Sequence, residues 1–272
     1  MKYSLVVLLG LFIIAGCTVK KKTGMNPNAS LVTKEVDYSA DGTTFKGFLV
    51  YDSSIAGKKP GIIVVHEWWG LNQYARGRAE MLAKLGYVAL AVDMYGNGAT
   101  ADHPDDAGKF AMAVMQKMDT AKARFDAGLK ILKEQPQTDT SKIAAIGYCF
   151  GGGIVLRLAL DGIPLNGIVS FHGDLPTETV NNPNLVKAKM LVCNGADDPF
   201  NPPDKVKAFK NSMDSAGVSY KFVDYPGAKH SFTNPAADSL GKKFNMPLAY
   251  NKEADEKSWN EMKEFFSSLF NK

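Results

Sequence analysis

The feature that most limits how this chain can fold is a series of short apolar runs, each handing over to a helical pattern. Ile62–Val65 in KKPGIIVVHEWWG is continuous enough for a strand buried on both faces. YVALAVDMYG and KIAAIGYC repeat that pattern, and LNGIVSFHG, AKMLVCNGADDP and SYKFVDYPGAKHSF read as three more strands. Between them lie NQYARGRAEMLAKLG, an amphipathic helix with Gly86 as its C-cap, and a long helical pattern, with room for a break, that ends before Pro136. GGGIVLRLALDG and Asp204 to Ala216 are further helices, and in the last one Trp259, Met262, Phe266 and Leu269 recur at helical spacing. Ahead of all this, KEVDYSA and TFKGFLVYD flank a DG turn and predict a hairpin. Strands alternating with helices imply an α/β fold, a mostly parallel sheet covered on both faces. With no repeat or internal linker, residues 31–272 are expected to form one domain. The segment Met94 to Ala107 reads as a loop over the C-terminal edge of the sheet, where such sheets bind ligands.

The 272 residues include 45% apolar and 22% charged side chains, enough for a substantial core. A net charge of +4 without a basic, aromatic-studded stretch argues against nucleic acid as a partner. The N-terminus follows another logic. Lys2 precedes the apolar run Leu5 to Ile14, which is short for a bilayer span and ends in small residues, as a secretory signal does. Its IAGC ending resembles the lipobox of bacterial lipoproteins, which implies cleavage before Cys17 and lipidation of that residue. An ordinary signal cut nearby, or an uncleaved anchor, is the alternative. Residues 1–17 are thus the expected signal peptide with its lipobox cysteine, and 18–30 a polar tether. The expected location is the bacterial envelope, lipid-anchored on the periplasmic side. Thr18, in place of the aspartate that retains lipoproteins at the inner membrane, tips this slightly toward the outer membrane.

The chemistry is concentrated in IGYCFGGG. Gly147-Tyr148-Cys149-Phe150-Gly151 is a G-x-S-x-G elbow with cysteine in the serine position. A strand-to-helix turn this tight needs glycine where backbones pass closely, and it exposes the nucleophile above a helix N-terminus that favours a thiolate. A thiol needs a base, and the base an orienting acid. On such elbows the acid follows the nucleophile and the histidine comes last. NGADDPF supplies Asp198, with Asp197 as the competitor, and GAKHSF supplies His230, each just past a strand. The backbone N–H groups of Phe150 and Trp68 are expected to form the oxyanion hole. Trp69, Tyr95 and His172 are candidates for the substrate pocket, and His66 is read as packing under the turn. His103 is read as solvated. Four histidines without tight spacing predict no metal site, and no cofactor is expected.

Together HEWWGLN, GYCFGG, GADDPFNPP and YPGAKHSF, in that order, resemble the dienelactone hydrolase family of α/β-hydrolases from about Val36 to the C-terminus. The resemblance implies an α/β-hydrolase fold, a Cys149–His230–Asp198 triad, and a role for Glu67, which would sit beside the thiol, hold it at rest and take its proton. It also implies that the strand LNGIVSF separates the strands ending at Cys149 and Cys193, too far for a disulfide. Cys149 then stays free and open to peroxide, in a form that thiol reductants would reverse. Two arginines that clamp a substrate carboxylate in the family are missing, with Gly96 and Asn234 in their stead. The remaining Arg76, Arg78, Arg124 and Arg157 fall on helices as surface or packing residues. A monomeric hydrolase of a neutral or differently charged small ester, lactone or thioester is the resulting expectation. A non-catalytic binding lipoprotein and a thiol peroxidase or redox sensor are the rivals.

Overall fold

The computed structural model describes residues 28–270. The expected signal segment, Cys17 and most of the expected tether lie outside those residues. Among the described residues no helix is long and apolar enough to cross a membrane.

Eight strands form one sheet in the order β1-β2-β4-β3-β5-β6-β7-β8. β1 (Leu31–Ala40) and β2 (Thr43–Asp52) are the predicted hairpin, joined through Asp41-Gly42 and antiparallel along their whole length. β2 also runs antiparallel to β4 (Val88–Val92). From β4 onward the sheet is parallel, through β3 (Lys59–Val65), β5 (Thr138–Tyr148), β6 (Gly167–Phe171), β7 (Lys189–Gly195) and β8 (Tyr220–Tyr225). This is the α/β-hydrolase-like sheet the sequence predicts. A hairpin supplies the antiparallel edge because a DG turn needs only two residues, whereas each parallel pair needs a crossover helix.

The continuous apolar runs are explained by which helices cover each face. In β3, Ile62 and Val64 face α1 (Gln73–Lys84) and α7 (Lys252–Phe270), packing with Leu82, Met262 and Phe266. Ile63 and Val65 face the other way, toward α3 (Met118–Glu134) and α4 (Phe150–Leu160), in the same core cluster as Phe125, Ile154 and, from α5 (Pro203–Ser215) farther along that face, Phe209. Side chains alternate between faces with a period of two, so a strand covered on both sides must be apolar at every position. Each such Leu, Ile or Phe contributes about 1.5–3 kcal/mol through burial.

The long helical pattern does break, at Gln116–Lys117, into α2 (Pro104–Met115) and α3. The loop before it ends at His103 rather than at Ala107, because the His103 ring accepts the Asp105 N–H as an N-cap. A short helix, α6 (Ala237–Phe244), follows the histidine loop and has no counterpart in the sequence reading.

Candidate active site

Cys149 is the residue between β5 and α4, with φ 51° and ψ −115°. A non-glycine residue with this backbone is strained, and the strain persists because its surroundings fix it. A Cβ on Gly147 would lie 2.1 Å from the Gly151 carbonyl oxygen, and one on Gly151 would lie 2.4 Å from that of Val65. The two glycines of the motif therefore let the helix start press directly against β3 and β5. Cys149 is left half-buried at the N-terminus of α4, the end whose partial positive charge favours anions.

The parallel sheet brings the distant stretches together, since the ends of β5, β7 and β8 share one edge. His230 Nε2 stands 3.0 Å from Cys149 Sγ, and His230 Nδ1 stands 2.8 Å from Asp198 Oδ2. The other Asp198 oxygen accepts the Phe200 N–H at 2.8 Å, which fixes the carboxylate. Burial opposes charging the His230 imidazole, but the Cys149 sulfur and the Asp198 carboxylate outweigh it and hold its pKa well above the ordinary value. Of the two competing aspartates, Asp198 is buried and Asp197 faces solvent.

Glu67 does not meet the thiol. One of its oxygens accepts the Ser231 hydroxyl at 3.0 Å and the other the Asn234 amide at 2.6 Å, and no hydrogen bond joins it to Cys149. Burial raises its pKa, against the pull of those two donors. Asn234, one of the positions without arginine, thus has its own task here. Gly96, the other, turns at φ +102° in a loop whose N–H groups at Tyr95, Gly96 and Gly98 all point at the Asp93 carboxylate. An arginine there would be strained.

A cavity of about 350 Å³ opens beside the sulfur, walled mainly by Trp68, Met115, Phe150, Phe200, Met246 and Leu248. Its polar lining is Asp174, Asn201 and His230, with no arginine or lysine. Asp174 is matched from behind by Arg157 at 2.7 Å and by Lys205. A second cleft of about 360 Å³ lies on the far side of that pair, around Arg157, Asp161 and Glu178, and contains none of Cys149, Asp198 and His230.

Three of the expected pocket residues are elsewhere. Trp69 is drawn into a small apolar cluster with Ala101 and Ala107 and stacks on Phe244 at 6.0 Å. Tyr95 stands one layer back. Its hydroxyl donates to the Trp68 carbonyl at 2.8 Å, and its ring packs against Phe150 at 5.5 Å. His172 is fully buried, with both ring nitrogens hydrogen-bonded within the protein. His66 packs under the turn as expected, accepting the Met94 N–H at 3.2 Å. Phe150 and Trp68 do line the cavity. Phe150 opens α4, where no intrahelical acceptor exists for its N–H. No backbone acceptor takes the Trp68 N–H among the described residues. Sequence reasoning missed the walls from α2 and from Phe200, Met246 and Leu248, since nothing in their local pattern marks them. Among the described residues no cluster of ligands suited to a metal is present.

A strained strand-to-helix elbow on a mostly parallel, helix-covered sheet defines a protein of the α/β-hydrolase-like fold. The chain belongs to the dienelactone hydrolase family, whose sequence pattern matches residues 45–270. It is 31% identical to Protein usf of Aquifex pyrophilus over 211 residues, 75% of this chain and 89% of that one. To an Aquifex aeolicus protein with a provisional carboxymethylenebutenolidase name it is 30% identical, covering 75% of this chain and 89% of that one. Among solved structures it is similar to a dienelactone hydrolase-like promiscuous phosphotriesterase from metagenomic libraries. The TM-score there is 0.82 at 36% identity, over 88% of this chain and 98% of that one.

Proposed function

We propose that the protein hydrolyses a small neutral carboxylic ester or lactone through a thioacyl intermediate on Cys149. The observation that carries this reading is the unbroken chain Sγ···Nε2, Nδ1···Oδ2 at 3.0 and 2.8 Å. In the first half-reaction the thiol proton passes to His230 Nε2 as sulfur attacks the carbonyl carbon, and the imidazolium is stabilised by Asp198. The oxyanion is held by the Phe150 and Trp68 N–H groups, a contribution of roughly 3 kcal/mol per donor in comparable sites. His230 then protonates the departing alkoxide, and in the second half-reaction it deprotonates the water that cleaves the thioester. Glu67, tied to Ser231 and Asn234, supports the loop that follows His230 rather than the sulfur.

The apolar wall and the missing clamp arginines argue for a neutral substrate, against a diene-lactone carboxylate. The phosphotriesterase relative adds a second substrate type to test, because a thiolate beside an oxyanion hole can attack phosphorus as well as carbon. The envelope anchor through Cys17 belongs to the same proposal, on the strength of the IAGC segment. The test is a panel of p-nitrophenyl esters, small lactones and an aryl dialkyl phosphate, run on wild type beside Cys149→Ala and Cys149→Ser. Cys149→Ala should lose at least about 10³-fold in kcat with little change in melting temperature. Wild-type turnover by that variant would overturn the nucleophile assignment.

A further inference from the structure

We infer that His172 is a positioning residue, a strut of fixed length between the backbone of the nucleophile and the loop that carries the base. The inference rests on the Cys149–His230–Asp198 reading and goes beyond it.

His172 follows β6, whose neighbour β5 ends at the elbow. Its Nδ1 accepts the Cys149 backbone N–H at 3.1 Å, sharing that proton with the Phe171 carbonyl at 3.0 Å. Its Nε2 meets the Thr233 hydroxyl at 2.7 Å, three residues beyond His230. The direction of both bonds follows from the first. A backbone N–H can only donate, so Nδ1 keeps its lone pair and the neutral ring carries its proton on Nε2, donating to Thr233 Oγ1. A doubly protonated ring would set one N–H against another at the elbow. Burial, followed by the charges of His230 and Arg78, favours the neutral ring.

Both ends of the strut are themselves held. The His172 N–H donates to the Cys193 carbonyl at 2.8 Å, although its φ of 40° is unusual for a non-glycine residue. Thr233 Oγ1 also meets the Tyr74 hydroxyl at 2.6 Å, and the Thr233 carbonyl accepts from the buried Arg78, which is paired with Asp255 at 2.7 Å. The imidazoles of His172 and His230 lie edge to face, 5.4 Å apart. No other side chain among the described residues bonds both the Cys149 backbone and the His230 loop. The strut therefore fixes the separation across which the thiol proton moves, where a shift of about 1 Å costs on the order of 10²-fold in rate.

Thr233→Val keeps the shape of the side chain and removes the hydroxyl at the strut's far end. It should lower kcat about 10- to 100-fold at nearly constant KM and slow alkylation of Cys149 by iodoacetamide at neutral pH, while Thr233→Ser restores both to within about threefold. A Thr233→Val enzyme with wild-type kcat and alkylation rate overturns the strut. If that variant does not fold, His172→Asn decides, since its Oδ1 can accept the Cys149 N–H but cannot reach Thr233. There, unchanged kcat overturns the inference, and reduced kcat at unchanged KM supports it. Cys149→Ala in the same assay separates the two readings. Activity in Cys149→Ala removes the triad itself, whereas an inactive Cys149→Ala beside a fully active Thr233→Val removes the strut alone.

Discussion

A methyl group added at Gly151 would stand 2.4 Å from the Val65 carbonyl oxygen and 2.6 Å from that of His66, both fixed backbone atoms. Gly151→Ala is therefore expected to cost about 3 kcal/mol or more, read as a fall in the denaturant midpoint, because neither atom can give way. His66 carries a pH prediction. Its ring is fully buried and its pKa is pushed down to about 4 by that burial. As pH falls, the unfolded chain takes up the proton near 6.5 while the folded chain refuses it until about 4, so stability is complete above that window and lost within it. Relative to His66→Gln, which cannot titrate, the wild type should lose about 3 kcal/mol between pH 7 and 4 in parallel chemical unfolding curves. Equal slopes for the two proteins would contradict this. That Cys149, Asp198 and His230 would meet was legible, since each stands at or just past the end of a strand in a marked turn, and the structure brings them within hydrogen-bond distance. The partners of Glu67 were not, because a loop sequence does not say which way a side chain points.

At the scale of elements, α7 was visible from the spacing of its apolar residues, and it shares one face of the sheet with α1, its Trp259, Met262 and Phe266 buried. Leu269 is only partly buried, and Phe270 takes the inward position after Phe266 instead. Phe266→Ala should cost about 3–5 kcal/mol, measured by denaturant unfolding, without altering the KM of the folded enzyme, because the cavity it leaves lies across the sheet from the pocket. A break between α2 and α3 was allowed for but its position was not legible, since no proline or glycine marks Gln116 or Lys117. It matters to the site, because α2 sends Ala111 and Met115 into the pocket wall. Helical periodicity gives a helix its buried face but not the element that face will meet.

For the whole molecule, β1 begins at Leu31, so the proposed tether ends where the sheet starts. If Cys17 carries the anchor, Cys17→Ala expressed in a bacterial host should move from the membrane to the soluble fraction with its kcat and melting temperature unchanged. Equal recovery of both proteins with membranes would sink the anchor proposal. The sheet order also bears on the cysteines: β6 lies between the strands that lead to Cys149 and Cys193, and both are free. Burial pushes the Cys193 thiol up to about 12, with the Tyr225 hydroxyl beside its sulfur, as suits an inert core residue.

The sequence by itself determined the alternation of strand and helix, the elbow, and the order of cysteine, aspartate and histidine, because these depend on local periodicity and on residues that only tight turns tolerate. Only the tertiary structure decided where Glu67 points, that Trp69 and His172 leave the pocket, and which helices wall it. Those outcomes depend on which of several competing hydrogen-bond and packing partners lies nearest once the sheet has closed, and residues as far apart as Glu67 and Asn234 have no local pattern to announce their contact.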